Sequence, residues 1–192
     1  MWRKGLTVAR MLGRASFALL VLAFVLLVAG VAAGARVNVT RSLPPGLYWA
    51  VDRPIERHAY VRFCPPKEGP FALAMERGYL SSGGACPEGF PMIKRVVGLA
   101  GDSVEAVESG VSVNGQMLPS SAFRRTDGLG RPMPRPPCGE RRLRASELWV
   151  MSDTNERSFD SRYFGPIDRA WVKEVIVPVL TWGPGGTLAG GP

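Results

Sequence analysis

The chain has 192 residues and a formal net charge of +8, from 24 basic and 16 acidic side chains, with three cysteines and one histidine. Arg3, Lys4, Arg10 and Arg14 crowd basic charge into the first turns with no acid among them, so the remainder is only mildly basic and the excess does not mark a nucleic-acid binder. Cys64, Cys86 and Cys138 show no Cys-x-x-Cys spacing and His58 is the sole imidazole, which excludes a conventional zinc site; no metal or cofactor is expected.

Residues 15–35 carry no charge over 21 positions. At about 1.5 Å per residue such a helix reaches about 32 Å, matching a hydrocarbon core of about 30 Å. The stretch predicts a transmembrane helix, with the basic N-terminus in the cytoplasm and the bulk of the chain on the opposite side. A removed signal peptide is the competing reading, because Ala33-Gly34-Ala35 is a small-x-small sequence, but the apolar run exceeds the usual h-region of about 7 to 15 residues. From Arg36 the chain reaches at most about 20 Å by Ser42, which places Ser42 at the membrane face.

The next stretch is Val39-Thr40-Arg41-Ser42-Leu43-Pro44-Pro45-Gly46-Leu47-Tyr48. Each proline fixes its own φ and restricts the residue before it, and Gly46 is expected to supply a bend, so the Ser42 hydroxyl sits beside stiff backbone. A serine in such a sequence is ordinarily a turn residue; the rest of the chain decides otherwise.

Beyond it the pattern is mainly β. Residues 47–51, 59–64, 92–98, 104–107, 111–113, 148–152 and 171–177 are short runs rich in branched and aromatic side chains, separated by Gly, Pro, Asn or Asp. Asn114-Gly115 predicts a tight hairpin after 111–113. Only 71–77 reads as helical. Residues 119–144 hold five prolines and seven arginines against Asp127 and Glu140, which predicts an exposed, loop-rich flap that is solvated or faces anionic lipid heads. The domain plan is a basic cytoplasmic tail at 1–14, a transmembrane helix at 15–35, a β domain at 36–182 carrying the 119–144 insert, and a Gly-rich flexible tail at 183–192. The 21 residues between Cys64 and Cys86 suit a disulfide, but the pairing among the three cysteines stays open.

A serine nucleophile needs a base. His58 lies in a stretch without catalytic signature and there is no Gly-x-Ser-x-Gly elbow. Lys94, in Met92-Ile93-Lys94-Arg95-Val96-Val97-Gly98, is the alternative: in a strand it shares a face with Met92 and Val96, and burial there favours the neutral amine. Arginine cannot serve, because its guanidinium is not deprotonated in proteins. The chain has only four lysines, Lys4, Lys67, Lys94 and Lys173, among its basic residues, so a lysine at a buried-looking position is informative. A third piece is Ser158-Phe159-Asp160-Ser161-Arg162. Read as extended, it places Ser158, Asp160 and Arg162 on one face, where a hydroxyl can hold the amine and a carboxylate can pair with Arg162 or contact Lys94.

Taken together, Ser42 with Pro45, Lys94-Arg95-x-x-Gly98-x-x-Gly101-Asp102 and Ser158-x-Asp160-Ser161-Arg162, in this order after an N-terminal apolar helix, resemble the signal peptidase I family. The resemblance is greatest to its conjugative-transfer branch, the TraF-type peptidases that mature pilin precursors. It implies a signal-peptidase-like β core with a loop-rich flap and a Ser/Lys dyad, Ser42 as nucleophile and Lys94 as general base. Thr40 and the Ser42 amide would form the oxyanion hole, Ser158 would orient the lysine and Asp160 would be the acidic residue this branch requires. The implied substrate is a precursor pilin or other exported polypeptide, cleaved or circularised by an enzyme anchored singly in a bacterial inner membrane with its catalytic domain in the periplasm; no nucleic acid is expected as a partner.

Leu43, Gly46 and Ala100 stand where the housekeeping pattern has methionine, threonine and proline, which favours a dedicated substrate. A general signal peptidase and a non-enzymatic pilus or secretion-channel component are the alternatives. A self-cleaving repressor also uses Ser and Lys but has no use for the apolar helix.

Overall fold

The computed structural model describes residues 2–80, 86, 87, 89, 91–135, 139–152 and 154–182. Cys138 and the expected tail at 183–192 lie outside the described residues. Contacts divide the chain into two units, Met1–Arg36 and Val37–Pro192.

The first unit is one helix, α1 (Trp2–Ala32). Within it Met11–Ala32 has a mean hydropathy of 2.7 and is long and apolar enough to cross a membrane. Consecutive Leu19, Leu20, Val21 and Leu22 are all exposed, so this stretch presents apolar side chains on every face, as a lipid-facing helix does. It stops at Ala32 rather than at the expected residue 35, since Ala33 and Gly34 turn the chain, Gly34 at a φ of 114°, and Ala35 already opens a strand.

The second unit is mainly β. Its strands are β1 (Ala35–Asn38), β2 (Gly46–Val51), β3 (Tyr60–Phe63), β4 (Met92–Gly98), β5 (Ser103–Val107), β6 (Gly110–Val113), β7 (Gln116–Met117), β8 (Gly139–Arg142), β9 (Glu147–Met151), β10 (Ile167–Asp168) and β11 (Val172–Thr181), with short helices α2 (Gly69–Glu76) and α3 (Ser161–Phe164). A seven-stranded sheet runs β1-β2-β11-β3-β4-β9-β10 and a four-stranded one runs β7-β6-β5-β8. The β6–β7 hairpin turns on Asn114 and Gly115, both at positive φ, as the Asn-Gly pair predicts. Pro178 is tolerated inside β11 because the register shifts between Pro178 and Leu180, where a ladder bond is not required.

Strand β9 and the last three residues of β4 are buried on both faces. Val96, Leu148 and Val150 enter a core with Val61, Phe63, Phe71 and Tyr163, whereas Val97, Trp149 and Met151 enter a second core with Val104, Val111 and Leu143. Gly98 is required where the layers meet: a Cβ there would lie 2.9 Å from both Leu143 Cδ1 and Trp149 Cβ. A disulfide joins Cys64, just past β3, to Cys86, beyond α2, with the Cα atoms 5.6 Å apart.

Three sequence expectations are corrected. Gly46 is no bend: it is the buried first residue of β2, and a glycine is needed because a Cβ would lie 2.3 Å from the Leu180 carbonyl oxygen. Residues 158–162 are not one extended segment, because Asp160 caps α3 by accepting from the Arg162 amide. The 119–144 flap contains strand β8, which pairs with β5 although its sequence, Gly-Glu-Arg-Arg, has no apolar alternation.

Candidate active site

Lys94 lies in mid-β4, paired with Val61 of β3, and its neighbours alternate as a strand requires: Met92, Lys94 and Val96 are buried while Ile93 and Arg95 are partly exposed. Lys94 is 2 % exposed, and its Nζ donates to Ser158 Oγ at 2.6 Å. Burial lowers its pKa to about 8, against the pull of Asp160, which favours the charged form; Arg162 adds to the lowering. The amine is therefore within about a unit of neutral pH, where a lysine can exchange a proton.

Asp160 and Arg162 are wholly buried and face each other through a two-pronged ion pair, Arg162 Nε to Asp160 Oδ1 and Arg162 NH2 to Asp160 Oδ2, both 2.8 Å. The carboxylate also accepts from the Arg162 amide and, at 3.1 Å, from the Ser152 amide. Both of its oxygens are thus filled by donors, the guanidinium fork and two backbone amides. Arg162 in turn donates to the carbonyls of Ser120, Ala122 and Asn155, tying the start of the flap to this centre.

Ser42 reaches the centre through its backbone. Its carbonyl accepts from Ser152 Oγ at 2.6 Å, and the Arg41 carbonyl accepts from Asn155 Nδ2 at 3.2 Å. The β4–β9 register, Arg95 opposite Met151, sets Lys94 across from Ser152 one step on. Among the described residues no hydrogen bond joins the Ser42 hydroxyl to Lys94; Lys94 bonds Ser158, and Ser152 bonds the Ser42 carbonyl. On the other side of the loop buried Asn38 donates from Nδ2 to the Leu43 and Pro44 carbonyls, both at 3.2 Å, and Tyr48 OH donates to the Pro44 carbonyl at 2.7 Å. That fixes Asn38 Oδ1 as an acceptor, and it takes both the Thr40 amide and the Thr40 hydroxyl, the latter at 2.8 Å.

The structure thus brings Lys94 against Ser158, Asp160 against Arg162 and Ser152, and the Ser42 backbone onto Ser152. Exposed Thr40 is held on Asn38. Sequence reasoning missed Asn38, Ser152 and Asn155. Gly98, Gly101 and Asp102 prove to be scaffold: Gly101 turns at a φ of 86°, and Asp102 accepts from the Leu99 amide, from Asn114 and, on both oxygens, from one guanidinium nitrogen of Arg57. Among the described residues no cluster of His, Cys, Asp and Glu gathers that could hold a metal.

Comparison with known proteins identifies the family. Residues 9–179 match the family described as signal peptidase, peptidase S26. The plasmid transfer protein TraF of Escherichia coli is 50 % identical over 160 residues, covering 82 % of this chain and 90 % of its own. The probable conjugal transfer protein TraF of Sinorhizobium fredii is 41 % identical over 154 residues, 79 % of each chain. Among solved structures, a signal peptidase I of Enterococcus faecalis aligns with 67 % of this chain and all of its own at 21 % identity and a TM-score of 0.39.

Proposed function

The chain belongs to the signal peptidase, peptidase S26, family, and from that premise we propose that it is a membrane-anchored serine endopeptidase using Ser42 as nucleophile and Lys94 as general base on the precursor of a conjugative pilin or a related exported polypeptide. The observation that carries the dyad is the buried Lys94 amine, its pKa lowered to about 8, set across from the residue that holds the Ser42 carbonyl. A substrate belonging to conjugation is in keeping with relatives named as plasmid and conjugal transfer proteins. Helix α1 is the anchor, its N-terminus cytoplasmic by the basic residues that precede Met11–Ala32, and the β domain works in the periplasm.

In the reaction neutral Lys94 takes the proton of Ser42 as Oγ attacks the scissile carbonyl carbon. The resulting oxyanion is met by the Ser42 amide, at about 3 to 4 kcal/mol per donor. Thr40 is a second donor once its hydroxyl turns from Asn38 toward the oxyanion. Collapse breaks the C–N bond, the Lys94 proton goes to the leaving amine, and an ester on Ser42 remains. Water or an amine of the same substrate then attacks the ester, Lys94 takes the attacking group's proton, and that proton returns to Ser42 Oγ. Ser158 keeps the amine aimed, and Asp160 holds the surrounding loop.

The test is co-expression of the full chain with precursor pilins, followed by the intact mass of the product. A shortened chain marks hydrolysis, and a shortened chain lighter by one further water marks a ring. A precursor mass identical with the wild type and with Ser42→Ala overturns the reading.

A further inference from the structure

Two peptide planes flank a nucleophilic serine, and here each is gripped from outside the nucleophile loop. The plane before Ser42 contains the Arg41 carbonyl and the Ser42 amide, and its carbonyl accepts from Asn155 Nδ2. Because the peptide is planar and trans, fixing that carbonyl fixes the opposite direction of the Ser42 N–H, the donor an oxyanion needs. The plane after Ser42 contains the Ser42 carbonyl, held by Ser152 Oγ.

The polarity of the second grip is not free to reverse. The Ser152 hydroxyl has one proton and two lone pairs, and it receives the amides of Asn155 at 3.0 Å and Thr154 at 3.3 Å. Its proton is left for the Ser42 carbonyl alone. Asn155 is equally constrained: its Oδ1 accepts from the Arg157 amide at 2.9 Å, so the side-chain nitrogen must face Arg41. Behind both stands the buried ion pair. Asp160 Oδ2 accepts from the Ser152 amide, and Arg162 NH2 donates to the Asn155 carbonyl.

We infer that Ser152 and Asn155 are positioning residues that set the backbone of Ser42 on both sides, and that the Asp160–Arg162 pair acts on the nucleophile through them rather than by direct contact with Lys94. The inference rests on the Ser42 and Lys94 reading above. It also gives Asp160 a task other than proton transfer: its oxygens are engaged by Arg162 and the Ser152 amide, and what it hands on is geometry.

The test uses the full chain in detergent micelles and a penem ester, whose strained lactam acylates a serine, with acylation of Ser42 read from the mass of the intact chain. Ser152→Ala removes the hydroxyl and Asn155→Ala removes the side-chain donor, neither adding a charge. Each is expected to lower the maximal acylation rate about 10- to 100-fold, since a nucleophile displaced by a fraction of an ångström loses its line of attack. The half-saturating penem concentration and the pH midpoint of acylation stay as in the wild type, because the acylating agent's contacts and Lys94 are untouched. Ser152→Thr, which keeps the hydroxyl, retains the rate within a few-fold. Rates within about two-fold of wild type in both variants overturn the inference, as does a loss in Ser152→Thr equal to that in Ser152→Ala or a loss accompanied by a moved pH midpoint. A wild-type chain that is not acylated at Ser42 instead removes the peptidase reading on which the inference stands.

Discussion

Lys94 Nζ donates to Ser158 Oγ at 2.6 Å, with both side chains buried. A protonated ammonium would bring three donors to that single acceptor, whereas a neutral amine satisfies one N–H there and keeps a lone pair to offer. The single acceptor thus disfavours the charged form, in line with burial lowering the pKa to about 8.

Activity is accordingly expected to rise with pH through a single step near 8 and to level above it, since the proton acceptor is the deprotonated amine. A pH profile of kcat/KM on a processed precursor checks this. Lys94→Arg keeps a positive charge but cannot lose a proton, so processing should fall by about 1,000-fold or more at every pH. A variant that processes substantially shows that no neutral base operates at position 94.

The same lysine costs stability. In the unfolded chain it titrates near 10.5 and in the folded chain near 8, so below pH 8 it is charged in both states and the folded state carries the whole penalty, about 3 kcal/mol at about 1.4 kcal/mol per unit. Between 8 and 10.5 the unfolded chain binds a proton that the folded chain does not, and stability rises with pH. Lys94→Met should thus be inactive yet more stable than the wild type at pH 7, with the gap closing as pH approaches 10.5. Thermal midpoints of the two chains across that range decide it; a gap that does not narrow rules out burial of the lysine as its cause.

Arg162 and Asp160 are each 0 % exposed, so removing one partner strands the other charge away from water. Asp160→Ala is expected to lose about 3 to 5 kcal/mol, far more than an exposed pair such as Arg124–Glu156, where Glu156→Ala should change stability by less than about 1 kcal/mol. Denaturant midpoints of both variants measure the contrast. Equal small losses would mean that Arg162 finds solvent or another partner when the carboxylate goes.

Much of this centre is legible in the chain itself. The β4 strand is readable because Met92, Lys94 and Val96 alternate with Ile93 and Arg95, and Lys94 stands out because the chain so rarely chooses lysine. Asn38, Ser152 and Asn155 are not legible, since short polar residues beside a turn look alike whether they face water or a carbonyl 110 positions away. Helix α3 is four residues long, too short for any apolar period to show, and β8 draws its place from pairing with β5 rather than from an apolar face. Local pattern predicts elements; these contacts depend on which segments meet.

Gly46 illustrates the same limit and gives the last prediction. The chain reads as a turn there, and housekeeping members of the family it resembles place a threonine at this position. In the structure Gly46 pairs with Thr181 across β2 and β11, and a Cβ would lie 2.3 Å from the Leu180 carbonyl oxygen and 2.8 Å from the Thr181 Cα. Both obstacles are backbone, so relief requires moving the strand itself. The next link, the Trp182 amide to the Pro45 carbonyl at 2.9 Å, would be pulled with it, and Pro45 closes the loop that carries Ser42. Gly46→Ala should therefore cost about 1 to 3 kcal/mol, the usual range for overpacking a tight site, and Gly46→Thr more. Activity should fall along with the melting temperature in both, because the displaced strand edge and the nucleophile loop are continuous. A Gly46→Thr chain that melts and processes as the wild type does would show that β2 and β11 separate without cost at this point.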